Sequence, residues 1–221
     1  MSMNKGGVYI AGEDPVTVEI IRRIVRDYAP LLHIISVQPA RGSELKSKVA
    51  AFNKLALATP VILLSDQDTD DCAPIAKENL LRGIEAQAEN FIVNIAVDEA
   101  EAWLYADRAG FANYLRVEEE KMPEAKEAKF GGPKLRMEMN TPCKTSFHLT
   151  HILMKESKDE TKRAQIFVEG TAKCKGKEYN SALMPFIQDV WNLESARKHS
   201  YSLDRMIRRI QDLNLRYGQS V

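Results

Sequence analysis

The stretch Val61-Ile-Leu-Leu-Ser-Asp-Gln-Asp-Thr-Asp-Asp71 decides how the chain is read. Four apolar residues run into four carboxylates, Asp66, Asp68, Asp70 and Asp71. The apolar run has the length of a strand buried on both faces. Asp66 and Asp68 fall just past its expected end, Ser65. In open α/β sheets, ligands bind in the crevice beyond the carboxyl ends of the strands. Like charges ~4 Å apart at an effective dielectric of ~20 repel by ~4 kcal/mol. Either the loop splays into water or a cation sits there. A hard, oxygen-preferring ion such as Mg²⁺ is the first candidate.

Working outward, the chain alternates strand and helix. Val8 to Ala11 reads as a first strand. Asp14 then serves as N-cap and Pro15 as first helical residue of a helix to about Tyr28. His33 to Gln38 is a second strand. Gly42-Ser43 opens a helix with Leu45, Val49, Phe52 and Leu55 inside. The third strand is Pro60 to Ser65, followed by a helix from about Ala73 to Gln87. The fourth strand is Phe91 to Val97, followed by a short helix, Glu99 to Asp107. Short connections in this pattern predict a parallel sheet with helices on both faces. Strand one then ends at Glu13, strand three at Asp66 and Asp68, and strand four at Asp98, Glu99 and Glu101. In a parallel sheet these acids share one edge. Helical spacing lets at most one of Glu99 and Glu101 face a common site.

Beyond Asp107 the expectation is a mostly helical C-terminal extension, residues 108–221, packed on an α/β domain of residues 1–107. Glu118 to Phe130 reads as a charged, exposed stretch, and Gly131-Gly-Pro-Lys134 as a loop. Helices are expected near Ser146 to Met154, Asp159 to Val168 and Ser181 to Trp191. The last of these has Leu183, Phe186, Ile187 and Val190 inside. Gly170 to Gly176 reads as a loop. Ser202 is the expected cap of a final helix, Leu203 to Arg216.

At 221 residues, 44% hydrophobic and 28% charged, the chain has the makeup of a soluble globular protein with a full core. It contains no apolar run of membrane-spanning length and no signal-peptide pattern. Its three cysteines, Cys72, Cys143 and Cys174, cannot all pair within one chain. A reducing cytoplasm is therefore expected. The net charge of zero hides an asymmetry. Residues 60–107 carry eleven acids against two bases, and residues 195–221 carry six bases against two acids. That pairing fits a metal site beside a phosphate-binding face; it also fits a solvated basic helix.

Two alternatives fail on their motifs, and a receiver-like phosphoacceptor and a zinc site are less favoured. An EF-hand counted from Asp66 needs Gly at its sixth position and Glu at its twelfth, where Asp71 and Lys77 stand. A haloacid-dehalogenase-type phosphatase has D-x-D-x-T on its first strand; here Asp70 replaces the Thr and the motif is on the third. A receiver wants Ser or Thr after strand four, where Val97-Asp98 stands. His148, His151, Cys143 and Cys174 match no common zinc spacing. Asp70 or Asp71 reads as a cap for the helix that follows. Glu13 could be an acid favoured by the helix dipole, but beside Asp66 and Asp68 it becomes a candidate ligand or base.

The layout resembles the Toprim (topoisomerase–primase) fold, through Gly12-Glu13-Asp14 after strand one and Asp66-Gln-Asp68 after strand three. The usual first-strand signature is closer to V-E-G-x-x-D; the order here is Ala-Gly-Glu-Asp. The chain also resembles a bacterial Toprim-like family, domain of unknown function 4276. Ser65 to Cys72, Glu99-Ala-Glu-Ala-Trp-Leu-Tyr-Ala-Asp107, Gly132-Pro-Lys134, Tyr179-Asn180 and Ala196 to Arg205 carry that resemblance. It implies a metal-dependent nuclease with Mg²⁺, or Mn²⁺, held by Asp66 and Asp68. Glu13 would join as ligand or base, with Glu101, or else Glu99, as a further ligand. Lys134, Arg197, Arg205, Arg208 and Arg209 would hold nucleic-acid phosphates. Genes for ATPases linked to phage defence often lie beside this family, so an ATPase partner is expected. The alternative is a non-catalytic, metal- or nucleotide-sensing regulator of that ATPase.

Overall fold

A computed structural model describes residues 6–38, 44–130, 132–170 and 175–218. The expected helix opening at Gly42-Ser43, Gly131 of the expected loop, and Cys174 lie outside the described residues. The chain forms two compact units, residues 1–96 with 204–221, and residues 97–203.

The first unit is α/β. Its elements are β1 (Gly6–Gly12), α1 (Pro15–Tyr28), β2 (Leu32–Val37), α2 (Glu44–Leu55), β3 (Val61–Asp66), α3 (Ala73–Leu80) and β4 (Phe91–Ala96). The four strands are all parallel, in the order β2-β1-β3-β4. Val61 to Ser65 and all of β4 are buried, as continuous apolar runs in a parallel sheet require. The chain turns to opposite sides of β1 for its second and third strands. A topological switch point therefore lies between β1 and β3, the place where such sheets bind ligands.

Helix α1 begins as its sequence dictates. The Thr17 amide donates to Asp14 Oδ1 at 2.8 Å, the Asp14 amide donates back to Thr17 Oγ1 at 3.0 Å, and Pro15 opens the helix. Gly12 makes this turn possible, because a Cβ there would sit 2.5 Å from Thr17 Oγ1. Two boundaries differ from expectation. Strand β3 extends through Asp66, which pairs with Ala96, so Asp66 belongs to the strand. Helix α3 stops at Leu80 rather than near Gln87. Gly83, at φ +87°, takes the left-handed conformation of the turns that follow.

The second unit is mostly helical. It contains α4 (Ala100–Tyr105), α5 (Arg108–Leu115), an antiparallel hairpin of β5 (Ala125–Lys129) and β6 (Leu135–Met139), and a short α6 (Thr145–Phe147). Then follow α7 (Glu160–Ile166), α8 (Tyr179–Pro185) and α9 (Leu193–His199), and the start of α10 (Tyr201–Gly218). Trp103, Trp191, Tyr105, Tyr179, Phe111 and Phe186 are all buried. Each such aromatic contributes roughly 1.5–3 kcal/mol or more by leaving water.

The expected Glu99–Asp107 helix is shorter, because Asp107 leaves helical geometry at φ −91°, ψ 65°. Its carboxylate accepts from the Asn192 amide at 2.8 Å. A Cβ on Gly110 would lie 2.3 Å from that carboxylate. The expected Ser181–Trp191 helix passes at Phe186 into a wider π turn, Phe186–Val190. Leu183, Phe186 and Ile187 are buried as expected, but the changed pitch brings Val190 out to 47% exposure. Likewise His148–Ile152 is a π turn inside the expected Ser146–Met154 helix. The cap of α10 is Ser200, whose hydroxyl accepts from the Leu203 amide at 3.3 Å, and not Ser202. From Asp204 onward α10 serves the first unit. There Asn214 Oδ1 accepts from the Leu31 amide at 2.8 Å, and the Tyr217 ring occupies the space beside Gly6. Among the described residues no helix is long and apolar enough to cross a membrane.

Buried Glu138 of β6 holds the α9–α10 junction. It accepts from Ser200 Oγ at 2.8 Å, the Ser202 amide at 2.5 Å and Ser202 Oγ at 3.1 Å. Trp103 Nε1 donates in turn to Ser202 Oγ at 2.8 Å. Burial outweighs these bonds and pushes the Glu138 carboxyl up to about 7 from 4.5. Between those values the folded chain keeps a proton that the unfolded chain has released. This group's contribution to stability is therefore present below pH 4.5 and is lost as pH rises toward 7, by up to about 1.4 kcal/mol per pH unit. Urea unfolding across that range should show a falling stability for the native chain relative to Glu138→Gln. Parallel pH profiles for the two proteins would contradict this.

Candidate functional site

The first unit carries a cleft of about 330 Å³ whose lining includes Glu13, Ser65, Asp66, Gln67, Asp68 and Asp70. It lies where the switch point places it, at the carboxyl ends of β1 and β3. Glu13 directly follows β1 and precedes the N-cap Asp14, so it is not spent on the helix. Its Oε1 accepts from the Asp66 amide at 3.0 Å and from the Ser65 hydroxyl. Among the described residues no other hydrogen bond or ion pair involves Glu13, at Oε2 or elsewhere. Burial pushes the Glu13 carboxyl up. The Ser65 and Asp66 hydrogen bonds pull it down, and the charges of Asp68 and Asp14 push it up again. The balance lies above the ordinary value of 4.5.

The turn after Asp66 is built from its own polar groups. The Gln67 amide donates to Ala96 O at 2.9 Å, and Gln67 Nε2 donates to Asp70 O at 2.8 Å. Asp68 sits at φ +53°, a left-handed conformation that Asp tolerates better than most residues. Asp70 accepts from Asn79 Nδ2 of α3 at 2.7 Å. Neither Asp70 nor Asp71 caps α3; the N-cap position is Cys72, without a side-chain bond. Glu13, Asp66 and Asp68 thus line one cleft, as the sequence places them.

The second unit buries Glu99 and Glu101, at 3% and 1% exposure. Both come together, with carboxylate oxygens within 4.8 Å of each other. The helical spacing argument fails because Glu99 is the N-cap, with extended backbone at φ −144°, ψ 163°. Glu99 accepts from the Ser146 amide at 2.6 Å and Ser146 Oγ at 3.0 Å, and pairs with Lys144 at 3.2 Å. Glu101 accepts from Tyr179 OH at 2.8 Å and pairs with Lys175 at 2.6 Å. Burial, then the charge of Glu101, raises the Glu99 carboxyl against those bonds. Neighbouring Asp98, at φ +61°, accepts from the Thr145 amide at 2.9 Å and from its hydroxyl. Within the second unit, Glu99 and Glu101 bring together oxygen donors of the kind a hard metal ion takes.

The basic candidates are spread along the chain. Lys134 is exposed in the β5–β6 connection, and Arg197 of α9 pairs with Glu194 at 3.4 Å. On α10, Arg205 is exposed and Arg208 pairs with Asp204 at 2.8 Å. Arg209 is half-buried, donating to Val93 O at 2.5 Å and Asn94 Oδ1 at 3.0 Å. Sequence reasoning gave no role to Ser65, Lys144, Lys175 or Tyr179. Only Ser65, next to Asp66, and Tyr179, within a recurring family feature, carried any signal.

No family model, curated protein or solved structure matches the chain. Ser65→Ala removes a bond that favours the ionised Glu13. Carboxyl-carbon NMR titration should therefore show the Glu13 pKa rising further in the variant. An unchanged or lower value would mean that Ser65 does not hold this carboxylate.

Proposed function

We propose that the chain is a Mg²⁺-dependent, Toprim-like nuclease that acts with an ATPase partner in bacterial phage defence. The observation that carries this reading is the cleft at the switch point, lined by Glu13, Asp66 and Asp68. Its acidic donors are all oxygens, which suits a hard divalent cation, Mg²⁺ or Mn²⁺. A bound cation of this kind supplies Lewis acidity toward a phosphoryl oxygen and lowers the pKa of a bound water. Asp66 and Asp68 bind it. Glu13, fixed through Oε1, accepts a proton at Oε2 from the attacking water. Lys134, Arg197, Arg205, Arg208 and Arg209 provide charge for phosphates, so binding should be salt-sensitive and largely independent of sequence.

One observation favours a second reading, a non-catalytic metal- or nucleotide-sensing regulator of the ATPase. Lys144 and Lys175 already neutralise Glu99 and Glu101. A cation at those acids would compete with the ammonium groups for the carboxylate charge, which is the behaviour of a sensor.

Supercoiled DNA, single-stranded DNA and RNA should be incubated with Mg²⁺ or Mn²⁺, with and without the ATPase. Cleavage is expected. It should disappear in the Asp66→Ala, Asp68→Ala double variant while circular dichroism is unchanged. Glu13→Gln should slow it by about 10²–10⁴-fold, the usual contribution of a general base. Cleavage that survives the double substitution would refute the site. Metal binding without cleavage of any substrate would favour the regulator.

A further inference from the structure

The edge of the sheet gathers positive charge beside a buried hydrogen-bond donor that has no acceptor among the described residues. Strand β4 is an edge strand, so its outward carbonyls lack a strand partner. Arg209 of α10 takes one of them, Val93 O, and holds the Asn94 side chain through Oδ1. Asn94 is 5% exposed, and its Nδ2 has no partner among the described residues. Lys77 of α3 is half-buried nearby, and its ammonium has no hydrogen bond or ion pair among the described residues. The charges that act on it are those of Arg209 and Arg205, both cations.

Such an arrangement costs free energy by itself. A buried amide donor without an acceptor and a desolvated ammonium without a counter-charge each oppose folding. Burial and the two arginines push Lys77 down to about 8, and burial and Arg205 push Arg209 down to about 10. Arg208, one residue away, is different: it is exposed and paired with Asp204. An anion with several acceptor oxygens would suit these groups. A phosphate can accept from an ammonium, a guanidinium and an amide at once. The position also fits. Ala76 and Leu80 of α3 line the acidic cleft, and Lys77 follows Ala76 on the same helix.

We propose that Lys77, Arg205, Arg209 and Asn94 form a phosphate subsite that holds a backbone phosphate of nucleic acid. It rests on the nuclease reading only for the source of that phosphate. The anion site itself does not depend on whether the cleft is catalytic.

The test uses the full chain in EDTA, so metal-dependent cleavage plays no part. Inorganic phosphate is one probe, read by thermal unfolding. A fluorescein-labelled single-stranded oligodeoxynucleotide is the other, read by anisotropy at several salt concentrations. Phosphate should raise the melting temperature of the native chain. Lys77→Met should melt at or above the native chain without phosphate, because it loses an unpartnered charge, and should lose the phosphate-induced rise. Its oligonucleotide affinity should fall about tenfold or more, with a salt slope shallower by roughly one. Lys77→Arg should keep binding, and so should Lys54→Gln, which removes an exposed charge outside the subsite. An equal phosphate response in the native chain and Lys77→Met would overturn the subsite. A phosphate response that needs Lys77, with oligonucleotide binding that does not, would overturn nucleic acid as its ligand in favour of a small free phosphate.

Discussion

One carboxylate oxygen ties the ends of two strands together. Glu13 Oε1 receives the Asp66 amide and the Ser65 hydroxyl, joining the end of β1 to the end of β3. The bond to the amide satisfies backbone at the point where the sheet ladder stops. It also fixes Glu13 beside two further acids, against their mutual repulsion. The left-handed turn at Asp68 and the Asn79–Asp70 bond hold the rest of the loop in shape. The local structure is therefore organised around keeping like charges close, the condition under which a cation is favoured.

The second unit solves a similar problem differently. Glu99 and Glu101 are almost wholly removed from water, and each is met by a lysine that keeps part of its side chain in solvent. Lys144 is 52% exposed and Lys175 35%. The buried partner of each pair is the costly one to leave alone, and the exposed partner can withdraw. The Ser146 and Tyr179 bonds keep the carboxylates in position whichever cation is present.

Features governed by local signals were legible in the sequence. Asp14 and Pro15 mark the start of α1, and the uninterrupted apolar runs of β3 and β4 mark strands buried on both faces. Glu13, Asp66 and Asp68 could be assigned to one edge because parallel strands present the same end together. What was not legible depends on partners distant in sequence. The order β2-β1-β3-β4, which brings Glu13 beside Asp66, is a property of pairing. The β5 strand, Ala125-Lys-Glu-Ala-Lys129, is mostly exposed and has no alternation to read. The two π turns shift the helical register without any residue that announces them. Glu99 escaped helical reasoning because caps are extended.

The first unit is discontinuous. Residues 1–96 are completed by 204–218, through the Leu31–Asn214 bond, the Gly6–Tyr217 approach and the Arg209 bonds to β4. On the ribosome, residues 97–203 must be made before that closing segment exists, a wait on the order of ten seconds at ~5–20 residues per second. During that interval the edge of β4 has no Arg209 to occupy it, and an open strand edge invites pairing with other chains. The nascent sheet is therefore exposed to aggregation until residues 204–218 have been made, and a factor that shields it would act during that interval.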